Sequence, residues 1–121
     1  MQTAWIALAG AIGAVARYRI GLAIGVRSSF PWATLWVNVV GSFLLAFVLA
    51  GPATSRWSPV TTAAVAVGLL GAFTTFSTFG YETIILLRTG RVHMAVVYVL
   101  VSLVGGLGAA GLGYIFGRGL A

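Results

Sequence analysis

Apolar residues run in four long blocks along the chain, separated by short stretches where Arg, Ser, Pro and Gly gather. A helix needs about 20 mostly apolar residues to cross the hydrocarbon core of a bilayer. The blocks therefore predict four transmembrane helices, at about residues 3–26, 33–50, 59–88 and 94–116, in one domain spanning 1–121. The first block closes at Arg27-Ser28-Ser29-Phe30-Pro31, after which Trp32 and Trp36 suit an interfacial aromatic belt. Gly51-Pro52 stops the second helix, and Ser58-Pro59 starts the third, with Ser as cap and Pro at the first helical position. Arg88-Thr89-Gly90-Arg91 and His93 make the third loop; His93 is read as a solvated loop residue, since no second metal ligand stands near it. The fold class is all-α integral membrane protein, with no internal repeat of solenoid length.

The third block departs from this plain pattern. One straight helix over 59–88 would be about 45 Å long at 1.5 Å per residue, against a hydrocarbon core of roughly 30 Å. Near its middle lies Gly71–Glu82, GAFTTFSTFGYE, with four hydroxyls at Thr74, Thr75, Ser77 and Thr78. Gly68 and Gly71 ahead of the Thr pair predict a broken helix, one half ending and the next capped there. Polar or irregular backbone at this depth survives only when buried in protein or lining a cavity. Opposed half-helix ends offer carbonyls to cations and N–H groups to anions.

Other polar positions sit where they could join such a site. Thr34, Asn38 and Ser42 fall at i, i+4 and i+8, on one helix face, beside the space opened by Gly41. Asn38 either glues two helices or faces water or an ion; its two hydroxyl neighbours favour the second. Arg17, deep in the first span, either snorkels to the interface or faces a polar vestibule or subunit contact. Phe76 and Phe79 share a face at i and i+3 and are either ordinary packing residues or a pair of electropositive ring edges turned toward an anion. In the last span Tyr98 and Ser102 add a polar edge, and Gly105, Gly106, Ala109, Ala110 and Gly113 form a small-residue packing face.

Composition narrows the class. Of 121 residues, 60% are hydrophobic and only 7% charged, with a mean hydropathy of +1.08. That is too little charge to solvate a globular surface. The net charge of +6 comes from seven arginines against one glutamate. The arginines are scattered at span ends, which suits interfacial anchoring rather than nucleic acid. Absence of cysteine excludes disulfides and thiolate metal sites. Ala14-Val15-Ala16 mimics a signal cleavage site, but no basic residue precedes the first apolar run, so it reads as a retained helix. Four spans put both termini on one side with Arg56 and Arg118, and Arg27, Arg88, Arg91 and Arg19 toward the other. So small a bias permits insertion both ways, and two oppositely inserted copies make an antiparallel dimer, the two-chain equivalent of an inverted repeat.

The run GAFTTFSTFGYE resembles the signature of the Fluc (CrcB) family of fluoride channels, and the likeness extends over the chain through Arg17-Tyr18, Asn38-Val39-Val40-Gly41-Ser42-Phe43 and the Gly-rich last helix. The resemblance implies a dual-topology antiparallel homodimer with two pores, conducting fluoride passively out of the cell across the inner (plasma) membrane. It implies a fluoride pathway at Phe76, Phe79, Asn38, Ser77, Thr78, Thr75, Tyr98 and Ser102, with Arg17, Thr34 and Glu82 at the vestibule. It also implies a structural sodium ion shared by both subunits, held by the backbone carbonyls of Gly71 and Thr74. Ala72, Phe73, Gly106 and Ala110 depart from the family's usual residues.

No nucleotide site or catalytic constellation is present in the sequence, which points away from an enzyme. A small multidrug-resistance-like, proton-coupled exporter is the alternative, but it needs an acid in the first span, where this chain has Arg17. A purely structural assembly protein would need neither the Asn38 face nor the central hydroxyl run.

Overall fold

The computed structural model describes residues 1–25 and 28–121. Val26 and Arg27, where the sequence ends the first span and begins the first loop, lie outside the described residues. The described residues are helical with no strand, and four helices are long and apolar enough to cross a membrane: Gln2–Ile24, Trp32–Ala50, Pro59–Arg88 and Val92–Gly119.

The first two are α1, Gln2–Gly25, and α2, Trp32–Ala50. A four-residue helix α3, Ala53–Arg56, occupies the connection that sequence reading leaves as loop. It forms because Pro52 already has helical dihedrals, and Thr54 Oγ1 and Ser55 Oγ donate back to the Gly51 and Pro52 carbonyls at 3.2 and 2.8 Å. The third crossing starts with α4, Pro59–Ala63, capped as its sequence suggests by Ser58 Oγ, which accepts the Thr61 N–H at 3.1 Å. It continues as a π-helical segment, Ala64–Leu70, then α5, Gly71–Phe73, and resumes after Thr74 and Thr75 as α6, Phe76–Arg88. The last helix is α7, Val92–Gly119, extending past both ends of the 94–116 block.

Lipid tails are as apolar as leucine, so helix association in a bilayer rests on close contact rather than on apolar burial. Glycines supply that contact at two seams. Between α2 and α7, a Cβ on Gly113 would collide with the Phe43 carbonyl, and one on Gly117 would stand 2.6 Å from the Phe47 carbonyl oxygen. Between α1 and the π segment, a Cβ on Gly68 would meet the Ile6 carbonyl oxygen at 2.7 Å, and one on Gly13 would collide with that of Leu69. A small buried cluster of Leu35, Leu86, Ala95 and Tyr98 joins α2, α6 and α7, with Phe30, Phe79 and Met94 against it. Large apolar side chains such as Ile12, Val104, Leu107 and Ile115 stay exposed on the protomer, as lipid-facing residues do.

The termini and the 51–58 connection share one end of the bundle, where Trp5 and Ser58 line one cleft and Gly51 lies against Gly117. Residues 28–31 and 89–91 meet at the other end.

Candidate functional site

The site grows from two residues. Thr74 (φ −88°, ψ 159°) and Thr75 (φ −152°, ψ 112°) are extended between α5 and α6. Thr75 caps α6: its Oγ1 accepts the Thr78 N–H at 3.2 Å and donates to Thr78 Oγ1 at 2.9 Å. Behind it, Thr74 donates both its N–H and its hydroxyl to the Leu70 carbonyl, each at 3.2 Å. The Thr74 methyl lies where a Cβ on Gly41 would be, so α2 approaches this dipeptide closely only because residue 41 has no side chain.

Asn38 holds the extended pair from α2. Its Oδ1 accepts the Thr75 N–H at 2.7 Å, and its Nδ2 donates to the Thr75 carbonyl at 3.0 Å. The amide thus pairs both polar groups of one residue's backbone, the gluing role that its sequence setting leaves second, while Asn38 also lines a cleft. One Nδ2 proton remains for a further acceptor. The same bonds redirect donors. In a continuous helix the Thr75 N–H would serve the Gly71 carbonyl and the Thr78 N–H that of Thr74. Here they serve Asn38 Oδ1 and Thr75 Oγ1, leaving the Gly71 and Thr74 carbonyls without those partners. Gly71 is exposed on the protomer surface. Carbonyl oxygens of this kind suit a hard cation.

Two clefts flank the pair and share Thr75. The larger, about 550 Å³, is lined by Arg17, Thr34, Val37, Thr75, Thr78 and Glu82. Arg17 is half-buried, lines this cleft and donates through Nε to the Ala72 carbonyl at 3.1 Å. Glu82, the chain's one acid, accepts from Thr34 Oγ1 at 2.9 Å and from the fully buried Tyr98 hydroxyl at 2.7 Å, one donor to each oxygen. Two neutral donors disperse the carboxylate charge that a low-dielectric surrounding would otherwise penalise.

The smaller cleft, about 250 Å³, has Asn38, Ser42, Thr75, Phe76, Phe79 and Ser102 in its wall. Phe79 is the aromatic hinge of the region, its ring centroid 5.6 Å from that of Phe76 and 5.1 Å from that of Tyr98. Ser102 Oγ is buried and has no hydrogen-bond partner among the described residues. Phe76 is 81% exposed, standing out from the protomer at mid-span.

Most residues singled out from the sequence thus meet around one break. Thr34, Glu82 and Tyr98 form one hydrogen-bonded group; Asn38, Thr75 and Thr78 form another; Phe76, Phe79 and Ser102 share the smaller cleft. Ser77 stands apart, exposed on α6 with only a 3.4 Å contact to Thr75 Oγ1. Sequence reading missed the Ala72 carbonyl as the acceptor for Arg17, and it left Ser28, Ser29 and Arg91, which line a third cleft, as plain loop residues. The available signal for the first was an arginine deep in an apolar span, which needs an acceptor there; nothing in the loop composition signalled the second.

The arrangement offers neutral donors, ring edges and freed carbonyls along a chain of clefts, with no nucleophile beside a general base among the described residues. It suits passage or binding of a small ion. The family model described as "CrcB-like protein, Camphor Resistance (CrcB)" matches residues 4–114. The chain is 48% identical over 103 residues to the fluoride-specific ion channel FluC 1 of Desulfitobacterium hafniense, covering 84% of this chain and 90% of that one. It is 46% identical over 108 residues to the fluoride-specific ion channel FluC 2 of Listeria innocua, covering 88% and 83%. Against a fluoride-specific ion channel FluC of Thermus thermophilus it is 43% identical over 117 residues, covering 95% and 94%.

Proposed function

Because this chain belongs to the CrcB family, we propose that it is a fluoride-selective channel that lets fluoride leave the cell down its electrochemical gradient. It is a multi-pass membrane protein and a channel protein, not an enzyme. The observation that carries the reading is the cleft between α2, α6 and α7, whose wall brings together Phe76, Phe79, Asn38 and Ser102, the Ser102 hydroxyl lying buried behind that wall with no partner among the described residues. An unmet hydroxyl in an apolar surrounding is costly, and a small anion accepting from it removes that cost. Fluoride is small and strongly hydrated, so its route must supply donors where water is stripped. Ser77, Thr78 and Ser102 carry hydroxyls for this role, Thr75 and Tyr98 would turn theirs from Thr78 and Glu82 to the ion, Asn38 has its second amide proton, and the two Phe rings have electropositive edges. Arg17, Thr34 and Glu82 form the vestibule in the larger cleft. Several weak sites in series allow an ion to enter without being trapped. In the inner (plasma) membrane, an interior-negative potential favours outward anion movement by about 2.3 kcal/mol per 100 mV, so no coupling machinery is required.

Efflux from liposomes containing the purified protein tests this. Fluoride is expected to leave rapidly and chloride at the rate of protein-free vesicles. Equal rates for the two halides, or no fluoride efflux from well-folded protein, would sink the reading.

The assembly we propose is an antiparallel homodimer with a third helix broken at Thr74–Thr75. Its support is the mid-span exposure of Phe76 and Gly71, which a second copy would cover, together with the near-equal arginine count on the two sides. The freed Gly71 and Thr74 carbonyls fit a shared sodium ion; when bound, it would neutralise converging carbonyl dipoles of the two copies. In sodium-free buffer the dimer is expected to dissociate on size exclusion, and in the cell membrane, where orientation is not randomised by reconstitution, half the copies of Ala121→Cys, whose cysteine is the only one in the sequence, should react with an impermeant thiol label. A sodium-independent dimer would remove the ion, and labelling of all or none would remove the antiparallel arrangement.

A further inference from the structure

A third cleft, about 350 Å³, opens at the end of the bundle opposite the termini and is lined by Ser28, Ser29, Tyr81, Glu82, Thr89 and Arg91 among others. Glu82 lines both this cleft and the 550 Å³ one. The two spaces share Ala33 and Glu82 in their walls, and Glu82 is the polar one of the two, its oxygens engaged by Thr34 and Tyr98. From the smallest cleft outward, Thr75 and then Glu82 link three spaces in series, and the third reaches the loops. Among the described residues its wall mixes hydroxyls with one cation, Arg91, which is exposed at the start of α7.

We propose that this third cleft is the mouth of the ion route and that Arg91 recruits anions to it. The inference rests on the fluoride reading above. An anion approaching Glu82 from this side meets a carboxylate, and a cation in the same wall offsets that repulsion. A unit charge about 6 Å from an ion's path in water changes the local concentration of a monovalent anion about threefold. The effect depends on salt, because the Debye length falls from about 30 Å at 0.01 M to about 3 Å at 1 M. Recruitment of this kind raises the rate of encounter without creating a deep binding site, as steering fields do.

The test is initial fluoride efflux from liposomes at about 0.01 M and about 1 M ionic strength, set with an impermeant salt. Wild type is compared with Arg91→Gln, Arg91→Lys and Arg118→Gln, the last at the far end of α7. Arg91→Gln is expected to reduce efflux about threefold at low salt and to match wild type at high salt. Arg91→Lys, keeping the charge, should follow wild type throughout, and Arg118→Gln, which removes a charge outside all three cleft walls, should lose less than Arg91→Gln. A loss in Arg91→Gln that is the same at both salt concentrations, or an equal loss in Arg118→Gln, would overturn the mouth assignment. So would Arg91→Gln matching wild type at low salt. Absence of wild-type fluoride efflux is a separate result: it would remove the fluoride reading itself, and the mouth with it.

Discussion

Phe79→Ile is expected to abolish fluoride-selective efflux in folded protein, with a fall of roughly tenfold or more. Phe79 lines the same cleft as Ser102, and its ring lies between those of Phe76 and Tyr98. Isoleucine keeps apolar bulk and remains compatible with the neighbouring Leu35, Leu86 and Ala95 cluster, so folding should survive. What it lacks is the electropositive ring edge, a contribution on the order of 1 kcal/mol per contact. Two ring contacts are perturbed together, and Phe76 loses the neighbour that orients it, hence the tenfold figure. The readout is the fluoride efflux rate in liposomes, normalised to reconstituted protein. Undiminished efflux would leave the channel standing and remove the ring-edge argument.

The second large effect concerns stability. Asn38→Leu is nearly isosteric but leaves the part-buried Thr75 N–H and carbonyl without their side-chain partner. A fully buried polar group stripped of its partner costs about 1–3 kcal/mol, and two part-buried groups beside clefts that admit water should together lose about 1–3 kcal/mol. Ser42→Ala, one turn along the same face of α2, removes a hydroxyl that does not hold the break and serves as the comparison. The midpoint of thermal unfolding in detergent should fall strongly for Asn38→Leu and little for Ser42→Ala. Matched midpoints would mean that Asn38 lines the cleft without supporting Thr74–Thr75.

These two expectations separate what kind of information each feature carries. Membrane residence follows from composition and block length, because transfer of each apolar residue into lipid is close to additive and needs no knowledge of its neighbours. The cap at Ser58 and the alignment of Phe76 with Phe79 are equally local, set by one or two helical turns. The run of hydroxyls from Thr74 to Thr78 marks the site for the same reason: such residues at mid-span need partners wherever they fall.

Other features depend on contacts that no local pattern encodes. The π turns over Ala64–Leu70 are written in residues that would serve equally in an α-helix. The side of the polar face that Asn38 serves is settled by a bond across 37 residues, and the acceptor of Arg17 by one across 55. Block lengths and residue types alone predict four membrane-spanning helices with the polar chemistry in the middle of the third. Packing between helices adds the partners that no single helix carries, Asn38 for Thr75 and the Ala72 carbonyl for Arg17. Once the Asn38 amide and the Thr75 hydroxyl take two N–H groups from the helical ladder, the Gly71 and Thr74 carbonyls lose those donors. An N–H has one proton to give: that of Thr75 is taken across helices by Asn38, and that of Thr78 locally by the capping hydroxyl of Thr75.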